Sequence, residues 1–223
     1  MTIQSFVQPE PRPRPGYLDD WLVRSLVQHR LPAAVAAAIA PELDELGTRA
    51  AGPLRDCQRA DRPNEPQLTT FDAWGNRVDR IEPSPLWHEA ERVAVRYGLT
   101  ARPQERQHSH WSRVPQFLLV HLFHPVTDVY TCPVAMTDGA ARTLLAAGNQ
   151  ALIDRAVPRL TSRDPDRFWT SGQWMTQATG GSDVGLSQTS AECRDGGVAP
   201  PGEEVVHVGS DVPGGPDAGA TRH

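Results

Sequence analysis

The feature that most constrains the fold is a series of short amphipathic segments, separated by proline and glycine, between about residues 18 and 165. In the first segment, apolar residues recur at helical spacing: Trp21, Leu22, Val23, Leu26 and Val27. A period near 3.6 residues places such side chains on one face of an α-helix. We therefore predict a mainly α-helical N-terminal domain over residues 18–165.

Capping residues predict where these helices begin and end. Short polar side chains and proline favour helix starts, and glycine favours helix ends. The predicted starts are Asp19 or Asp20, Ser84 with Pro85, and Thr137 or Asp138, and the predicted ends are Gly52, Gly98 and Gly148. Pro32 ends the first helix or begins the second, and Pro41 predicts a break.

Four stretches lack the helical pattern. Residues 1–17 are rich in proline and predict an extended arm, which is either disordered or lies on a partner surface. Residues 69–81 place two strand-like runs around Trp74-Gly75-Asn76 and predict a short hairpin. Residues 166–192 favour strands and loops, and residues 193–223, rich in Gly, Pro and Ala, predict a disordered tail.

Composition excludes several classes of protein. All 22 basic residues are arginine, so the chain has neither a Schiff-base lysine nor a Walker phosphate loop. The net charge of -5 argues against nucleic-acid binding by the whole chain. The three cysteines are widely spaced, which fits a reducing cytoplasm. The chain shows neither a signal peptide nor an apolar run near the ~20 residues needed to span a bilayer.

Several residues invite a functional interpretation that their surroundings do not support. His108, His110, His121 and His124 have no accompanying carboxylate or cysteine in a ligand pattern, so we assign no metal site. The pairs Asp164 with Asp166 and Glu42 with Glu45 have no neighbour that would shift their pKa values for catalysis. Cys132 precedes Pro133 in apolar surroundings, which favours a buried thiol.

The six tryptophans are expected to serve packing for the most part. Trp21, Trp87 and Trp111 lie on apolar faces and should pack between helices. Trp74 lies in the predicted turn. Trp169 and Trp174 flank the start of the β portion. They could pack this portion on the helical domain, or Trp174 could lie beside a ligand pocket.

The segment "QWMTQATGGSDVG" has the chemistry of a polar-ligand loop. Gly180 and Gly181 allow close backbone approach or positive φ, and successive amides in such a loop can bind an anion. Thr176, Thr179 and Ser182 add hydroxyl donors. Taken alone, a Gly-Gly-Ser run is typical of a plain turn.

The ordered string "WMTQATGGSDVG" resembles the flavin-binding signature of acyl-CoA dehydrogenases. "MTDGAARTLLAAGNQALIDRAVPRL" resembles the helix pair that precedes this signature, and "TFDAWGNRVDRIEPSPLWH" is similar to a segment of the AidB-like, adaptive-response branch. The resemblance covers roughly residues 3–192. It implies the N-terminal helical domain of the acyl-CoA dehydrogenase fold, followed by the first strands of its middle β-domain.

The resemblance also implies roles for individual residues. The signature binds FAD: the threonine matching Thr176 lies against the flavin ring, and the serine matching Ser182 contacts the phosphate region and can line the acyl-CoA entrance. Gln177 stands where most members have glutamate. The implied cofactor residues are Gln173, Trp174, Met175, Thr176, Gly180, Gly181 and Ser182.

The implied reaction is α,β-dehydrogenation of an acyl thioester, in a homo-oligomer. The family's catalytic base lies in a C-terminal domain, so we assign no catalytic residue here. The resemblance ends near Cys193, where "PPGEEVVHVGSD" replaces the expected Trp-Phe-Thr/Ser-Ser segment, and a truncated or frameshifted member would explain this. Such a polypeptide would be inactive alone. The alternative is a non-catalytic helical interaction module or a pseudogene product.

Overall fold

The computed structural model describes residues 8, 11, 14–173, 183, 192–194 and 197–199. Over this part of the chain the fold is mainly α-helical, as predicted. The helices are α1 (Trp21–His29), α2 (Ala33–Ala51), α3 (Pro53–Asp61), α4 (Pro85–Arg96), α5 (Arg102–Glu105), α6 (Arg113–Phe123), α7 (Thr131–Ala147) and α8 (Gln150–Leu160).

Helix α1 begins as the sequence predicts. The Asp20 carboxylate accepts hydrogen bonds from the backbone N–H groups of Leu22 and Val23, at 3.0 and 3.1 Å. These bonds satisfy two of the amides that a helix start leaves without partners. Ser84 caps α4 in the same way, and Gly148 ends α7 with φ 71°.

Helix α2 continues through Pro41, where the sequence predicted a break. Pro41 lies on the exposed side of the helix, so the hydrogen bond it cannot make is lost next to solvent. The opposite side carries Ile39, Leu43 and Leu46, all fully buried in the core. Burial of this apolar stripe outweighs the local cost of proline, because tertiary packing is the main source of helix stability in proteins.

The core lies between α1, α2, α4, α6 and α7. Leu119 and Phe123 of α6 are fully buried and belong to the same cluster as the α2 stripe. Tyr130 packs edge-on against Trp87, with ring centroids 4.9 Å apart. Trp87 and Trp111 are partly buried against this cluster, which confirms the prediction that they pack between helices.

The arm that precedes α1 lies on the domain's own surface in its described part. The guanidinium of Arg55 donates to the carbonyl of Pro11 at 3.2 Å. Tyr17 is buried in the core cluster, and the backbone of Gly16 contacts Gly47 of α2. This covering of α2 is neither of the two alternatives that the sequence left open, because the proline-rich composition gave no sign of an intramolecular site.

Strands β1 (Gln67–Phe71) and β2 (Arg77–Glu82) form the predicted hairpin. They pair antiparallel, with Leu68 opposite Ile81, and Gly75 takes φ 85° in the turn. The hairpin exposes a set of large apolar side chains: Leu68, Phe71, Trp74, Val78 and Ile81.

Two further short strands, β3 (Glu192–Arg194) and β4 (Gly197–Ala199), pair antiparallel. The sequence predicted no regular structure for residues 193–199, because two adjacent glycines and a pairing of only three residues per strand leave no periodic pattern. The other residues of the predicted tail lie outside the described part of the chain.

Three expectations at the helices are wrong. Trp21 is 70% exposed, because the buried side of α1 is formed by Val23 and Val27. Cys132 is exposed, because α7 begins at Thr131 and turns Pro133 and Val134 toward the core instead. Thr137 and Asp138 lie inside α7 rather than at its start.

None of the helices in the described ranges is long and apolar enough to cross a membrane.

Candidate functional site

The candidate site begins where the chain leaves α8 and runs toward the glycine-rich loop. Residues 161–173, here called the lead-in segment, connect Leu160, the buried last residue of α8, to Gln173. The backbone N–H of Trp169 donates to the carbonyl of Arg159 at 3.2 Å. The guanidinium carbon of Arg159 lies 5.3 Å from the centroid of the Trp169 ring. Trp169 therefore holds the segment against the end of α8 through backbone and cation–π contacts.

A second contact holds the lead-in segment to α7. The backbone N–H of Ser171 donates to the hydroxyl oxygen of Thr137 at 3.0 Å. The Thr137 side chain is fully buried. Because its position is fixed by the helix and the core, Thr137 supplies a rigid acceptor for the chain two residues before Gln173.

Asp138, next to Thr137, fastens α7 to α5 and α6. One carboxylate oxygen accepts from the Gln104 amide at 2.9 Å, and the other accepts from the Gln116 amide at 3.1 Å and is paired with Arg113. Gln116 is buried and also donates to the carbonyl of Leu99 at 2.7 Å. This group of hydrogen bonds fixes the turn of α7 that carries Thr137, since a satisfied buried polar network allows few other arrangements.

A third contact holds the beginning of the lead-in segment. The Arg163 guanidinium donates two hydrogen bonds to the Glu105 carboxylate, at 2.7 and 2.9 Å. This pairing, with a smaller Coulombic contribution from Arg102, lowers the pKa of Glu105 against the opposing effect of burial. The guanidinium lies over Gly98, where a Cβ would come within 2.5 Å of it.

The three contacts direct the chain to the surface at Gln173. Gln173 is exposed and lies in no helix or strand. The other predicted cofactor residues lie outside the described residues: Trp174, Met175, Thr176, Gly180, Gly181 and Ser182. Their predicted roles therefore stay predictions.

The histidines have separate surroundings. His121 is paired with Asp20 at 2.8 Å, His124 with the Thr131 hydroxyl at 3.0 Å, and the His110 ring packs against Trp111. Within the described ranges, no group of three or more His, Cys, Asp or Glu side chains could hold a metal ion.

Two residues that hold the lead-in segment, Thr137 and Arg159, were not predicted from the sequence. Thr137 was interpreted as a helix cap, and Arg159 carried no signal at all. A threonine in the middle of an apolar helix face was the available clue, since a buried hydroxyl requires a hydrogen-bond partner.

Comparison with known proteins defines the class. The fold is similar to the solved structure titled "Crystal Structure of Caenorhabditis elegans ACDH-11 in complex with C11-CoA", with 34% identity, a TM-score of 0.76 and 86% of this chain covered. It is similar also to the structure titled "Bd2924 apo-form", with 38% identity, a TM-score of 0.78 and 84% of this chain covered. These matches identify a helical region of acyl-CoA dehydrogenase-related proteins.

The chain belongs to the family of the adaptive response protein AidB N-terminal domain, which matches residues 14–167. Two curated relatives are also similar to this chain in sequence. Acyl-CoA dehydrogenase family member 11 of Caenorhabditis elegans is 35% identical over 183 residues, 80% of this chain. Putative acyl-CoA dehydrogenase AidB of Escherichia coli (strain K12) is 28% identical over 146 residues, 60% of this chain.

The match covers only part of each relative. It spans 30% of the C. elegans protein and 26% of the E. coli protein, and it spans 33% of the solved C. elegans ACDH-11 chain and 37% of the solved Bd2924 chain.

Proposed function

We propose that this chain forms the N-terminal helical part of a FAD-dependent acyl-CoA dehydrogenase-type oxidoreductase, with residues 174–182 as its flavin loop. The observation that carries the proposal is the lead-in segment, which α7 and α8 hold at two backbone positions and which reaches the surface at Gln173. A glycine-rich loop that follows such a fixed segment begins at a defined, solvent-accessible point, as a cofactor loop requires.

The residues of the flavin loop fit FAD chemically. The amides around Gly180 and Gly181 suit the negatively charged pyrophosphate, and the hydroxyls of Thr176 and Ser182 suit the polar edge of the ring and the phosphates. The structure adds that Gln173, directly before the loop, is exposed instead of being buried in a helix or in the core.

The chemistry of the proposed reaction divides between cofactor and protein. Residues 174–182 would hold FAD, which would supply the hydride acceptor for the β-carbon of an acyl thioester. This chain holds the lead-in segment that precedes the loop, through Thr137 and the Arg159 carbonyl. The α-proton requires a base, and we assign none to these residues. About two thirds of the length of the relatives has no counterpart in this polypeptide, so we expect no turnover from it alone.

A spectroscopic titration tests the proposal. Purified 223-residue protein is mixed with FAD, unbound flavin is removed by gel filtration, and the retained absorbance near 450 nm is measured. Retained flavin and quenched flavin fluorescence are expected, with riboflavin, which lacks the pyrophosphate, as the control that binds more weakly. Acyl-CoA thioesters are then added without air, and the absorbance near 450 nm is measured again for loss of oxidised flavin. Protein that retains no flavin at any FAD concentration below millimolar would contradict the proposal.

The exposed apolar hairpin favours a second role, in assembly. Leu68, Trp74 and Ile81 are more than half exposed. Single exposed apolar side chains are ordinary, but five on one hairpin mark a contact surface. We propose that the proteins of this type are homo-oligomers of a reducing, cytoplasmic compartment. If no flavin binds, a non-catalytic helical interaction module remains as the alternative.

A further inference from the structure

We propose that the outer edge of strand β2 pairs with the same strand of a second copy of this chain. The inference rests on the assembly role proposed above for the hairpin and deepens it, because it names the partner and the register of the contact. Within the described residues β2 pairs with β1 alone, and every residue of the strand, Arg77–Glu82, is exposed. The edge of β2 that faces away from β1 therefore offers backbone N–H and C=O groups to a further strand.

The charges of β2 are complementary to those of an antiparallel second copy. The strand reads RVDRIE. In one register, Arg77 lies opposite Glu82 of the second copy. The same register places Asp79 opposite Arg80 of the second copy, and the twofold symmetry of a dimer repeats both pairs. Opposite charges directly across two strands stabilise their pairing, whereas like charges oppose it.

The β-bulge in β2 makes this register possible. The register also places Val78 opposite Ile81 of the second copy. Three positions separate these residues, so a regular strand would direct them to opposite faces and could not pair them. Relative to β1, however, β2 carries one extra residue between Arg77 and Arg80, where Asp79 takes φ 41°. The extra residue brings Val78 to the same face as Ile81, so the two apolar side chains can meet across the dimer.

The groups that would form the contact are accessible. The four charged side chains of β2 are between 50% and 72% exposed, and Val78 and Ile81 are also among the exposed apolar residues. Arg77 already pairs with Asp79 on its own strand, but an exposed pair of this kind contributes little stability and can rearrange. Because one strand from each copy makes a small interface, we expect a weak dimer, with a Kd on the order of 10–100 µM.

Charge-reversal variants of the 223-residue protein test the inference. In a homodimer, Arg77→Glu places two glutamates opposite each other at both ends of the strand pair, and Glu82→Arg places two arginines there. A mixture of the two variants is complementary again at both ends. The matched control is Arg142→Glu, because Arg142 is exposed on α7, outside the hairpin. Sedimentation velocity at about 1–300 µM protein measures the Kd, and thermal melting verifies that each variant is folded.

We expect the unaltered protein and Arg142→Glu to dimerise with Kd values within about 2-fold of each other. Arg77→Glu alone and Glu82→Arg alone should each dimerise at least about 10-fold more weakly. The equimolar mixture of these two variants, and the double variant R77E/E82R, should recover the Kd of the unaltered protein to within about 3-fold. Melting temperatures should stay close to that of the unaltered protein, since the changed side chains are exposed.

Two results would overturn the inference, and they differ in what they say of the assembly role. If the unaltered protein dimerises and both single variants dimerise equally well, or if mixing them restores nothing, the copies meet through another surface and only the assembly role stands. If the unaltered protein stays monomeric at the highest concentration, the assembly role and the inference fail together. Retention of FAD is measured separately and bears on neither result.

Discussion

Gly47 of α2 and Gly16 of the arm are in direct backbone contact: a Cβ on Gly47 would lie 2.4 Å from the Gly16 carbonyl oxygen. No side-chain rotation could relieve this overlap. We expect Gly47→Ala to lower the free energy of unfolding by about 1–3 kcal/mol, as overpacking of a fixed site does. Thermal unfolding measures the loss, and faster proteolysis of the arm before Tyr17 would accompany it.

Gly139→Ala is the matched control for this change. Gly139 also lies inside a helix, α7, and a Cβ there would meet nothing within 4 Å. Alanine should therefore stabilise the protein by up to about 1 kcal/mol through helix propensity alone. Equal destabilisation by both substitutions would mean that the arm does not rest on Gly47.

Gly98 and Arg163 predict a second steric effect. Gly98 has φ 60°, and a Cβ there would lie 2.5 Å from the Arg163 guanidinium carbon. Gly98→Ala should cost about 1 kcal/mol for the left-handed backbone and should also displace Arg163 from Glu105. Gly148→Ala is the control, since Gly148 has φ 71° and open space around it. Unfolding curves should show a larger loss for Gly98→Ala, and equal losses would contradict the packing of Arg163 on Gly98.

Arg102 is the charged side chain whose loss should matter most. It is 8% exposed and donates to the Tyr97 carbonyl at 2.6 Å and to both oxygens of Glu42, at 2.6 and 2.5 Å. We expect Arg102→Ala to cost about 3 kcal/mol, because a buried carbonyl loses its donor and the core loses volume. Chemical denaturation measures this cost. Arg77→Ala, which breaks an exposed pair with Asp79, should change stability by less than about 0.5 kcal/mol.

The pair of Arg163 and Glu105 predicts a dependence of stability on pH. The Arg163 guanidinium holds the pKa of the Glu105 carboxyl below its ordinary value of 4.5. A lowered folded-state pKa contributes stability that is complete above the unfolded-state pKa and is lost as the pH falls through the folded-state pKa. The unaltered protein should therefore be more stable than Glu105→Gln at pH 7, and this difference should shrink as the pH falls below 4.5.

Unfolding free energies of the unaltered protein and of Glu105→Gln, measured across this pH range, check the sign of this pH dependence. The control is Glu82→Gln, because Glu82 belongs to an exposed pair with Arg80 at 3.7 Å. Its difference from the unaltered protein should stay within about 0.5 kcal/mol throughout. A difference for Glu105→Gln that grows on acidification would contradict the assigned role of Arg163.

Local signals in the sequence predicted the helical class, the caps at Asp20 and Ser84, the end at Gly148 and the β1–β2 hairpin. Each of these depends on neighbouring residues only. Pro41 is a position where prediction from neighbouring residues alone fails. Its local preference is to break a helix, but the buried residues of α2 on the opposite side decide the outcome.

The candidate site likewise has one part that could be predicted from the sequence and one part that could not. The glycine-rich signature could be recognised from its order of residues, whereas the partners of the lead-in segment could not. Thr137 is 34 residues from Ser171, and Glu105 is 58 residues from Arg163. Contacts over such separations depend on how α5, α7 and α8 pack, and neither periodicity nor capping specifies that packing.

We propose that residues 174–182 bind FAD on the helical domain. Hydrogen–deuterium exchange of the 223-residue protein with and without FAD, read out on peptides, tests it most directly. We expect slower exchange over residues 173–182 and in the α7 turn around Thr137, with α1 and α3 unchanged. Unchanged exchange over residues 173–182 at saturating FAD, or protection confined to another surface of the domain, would contradict it.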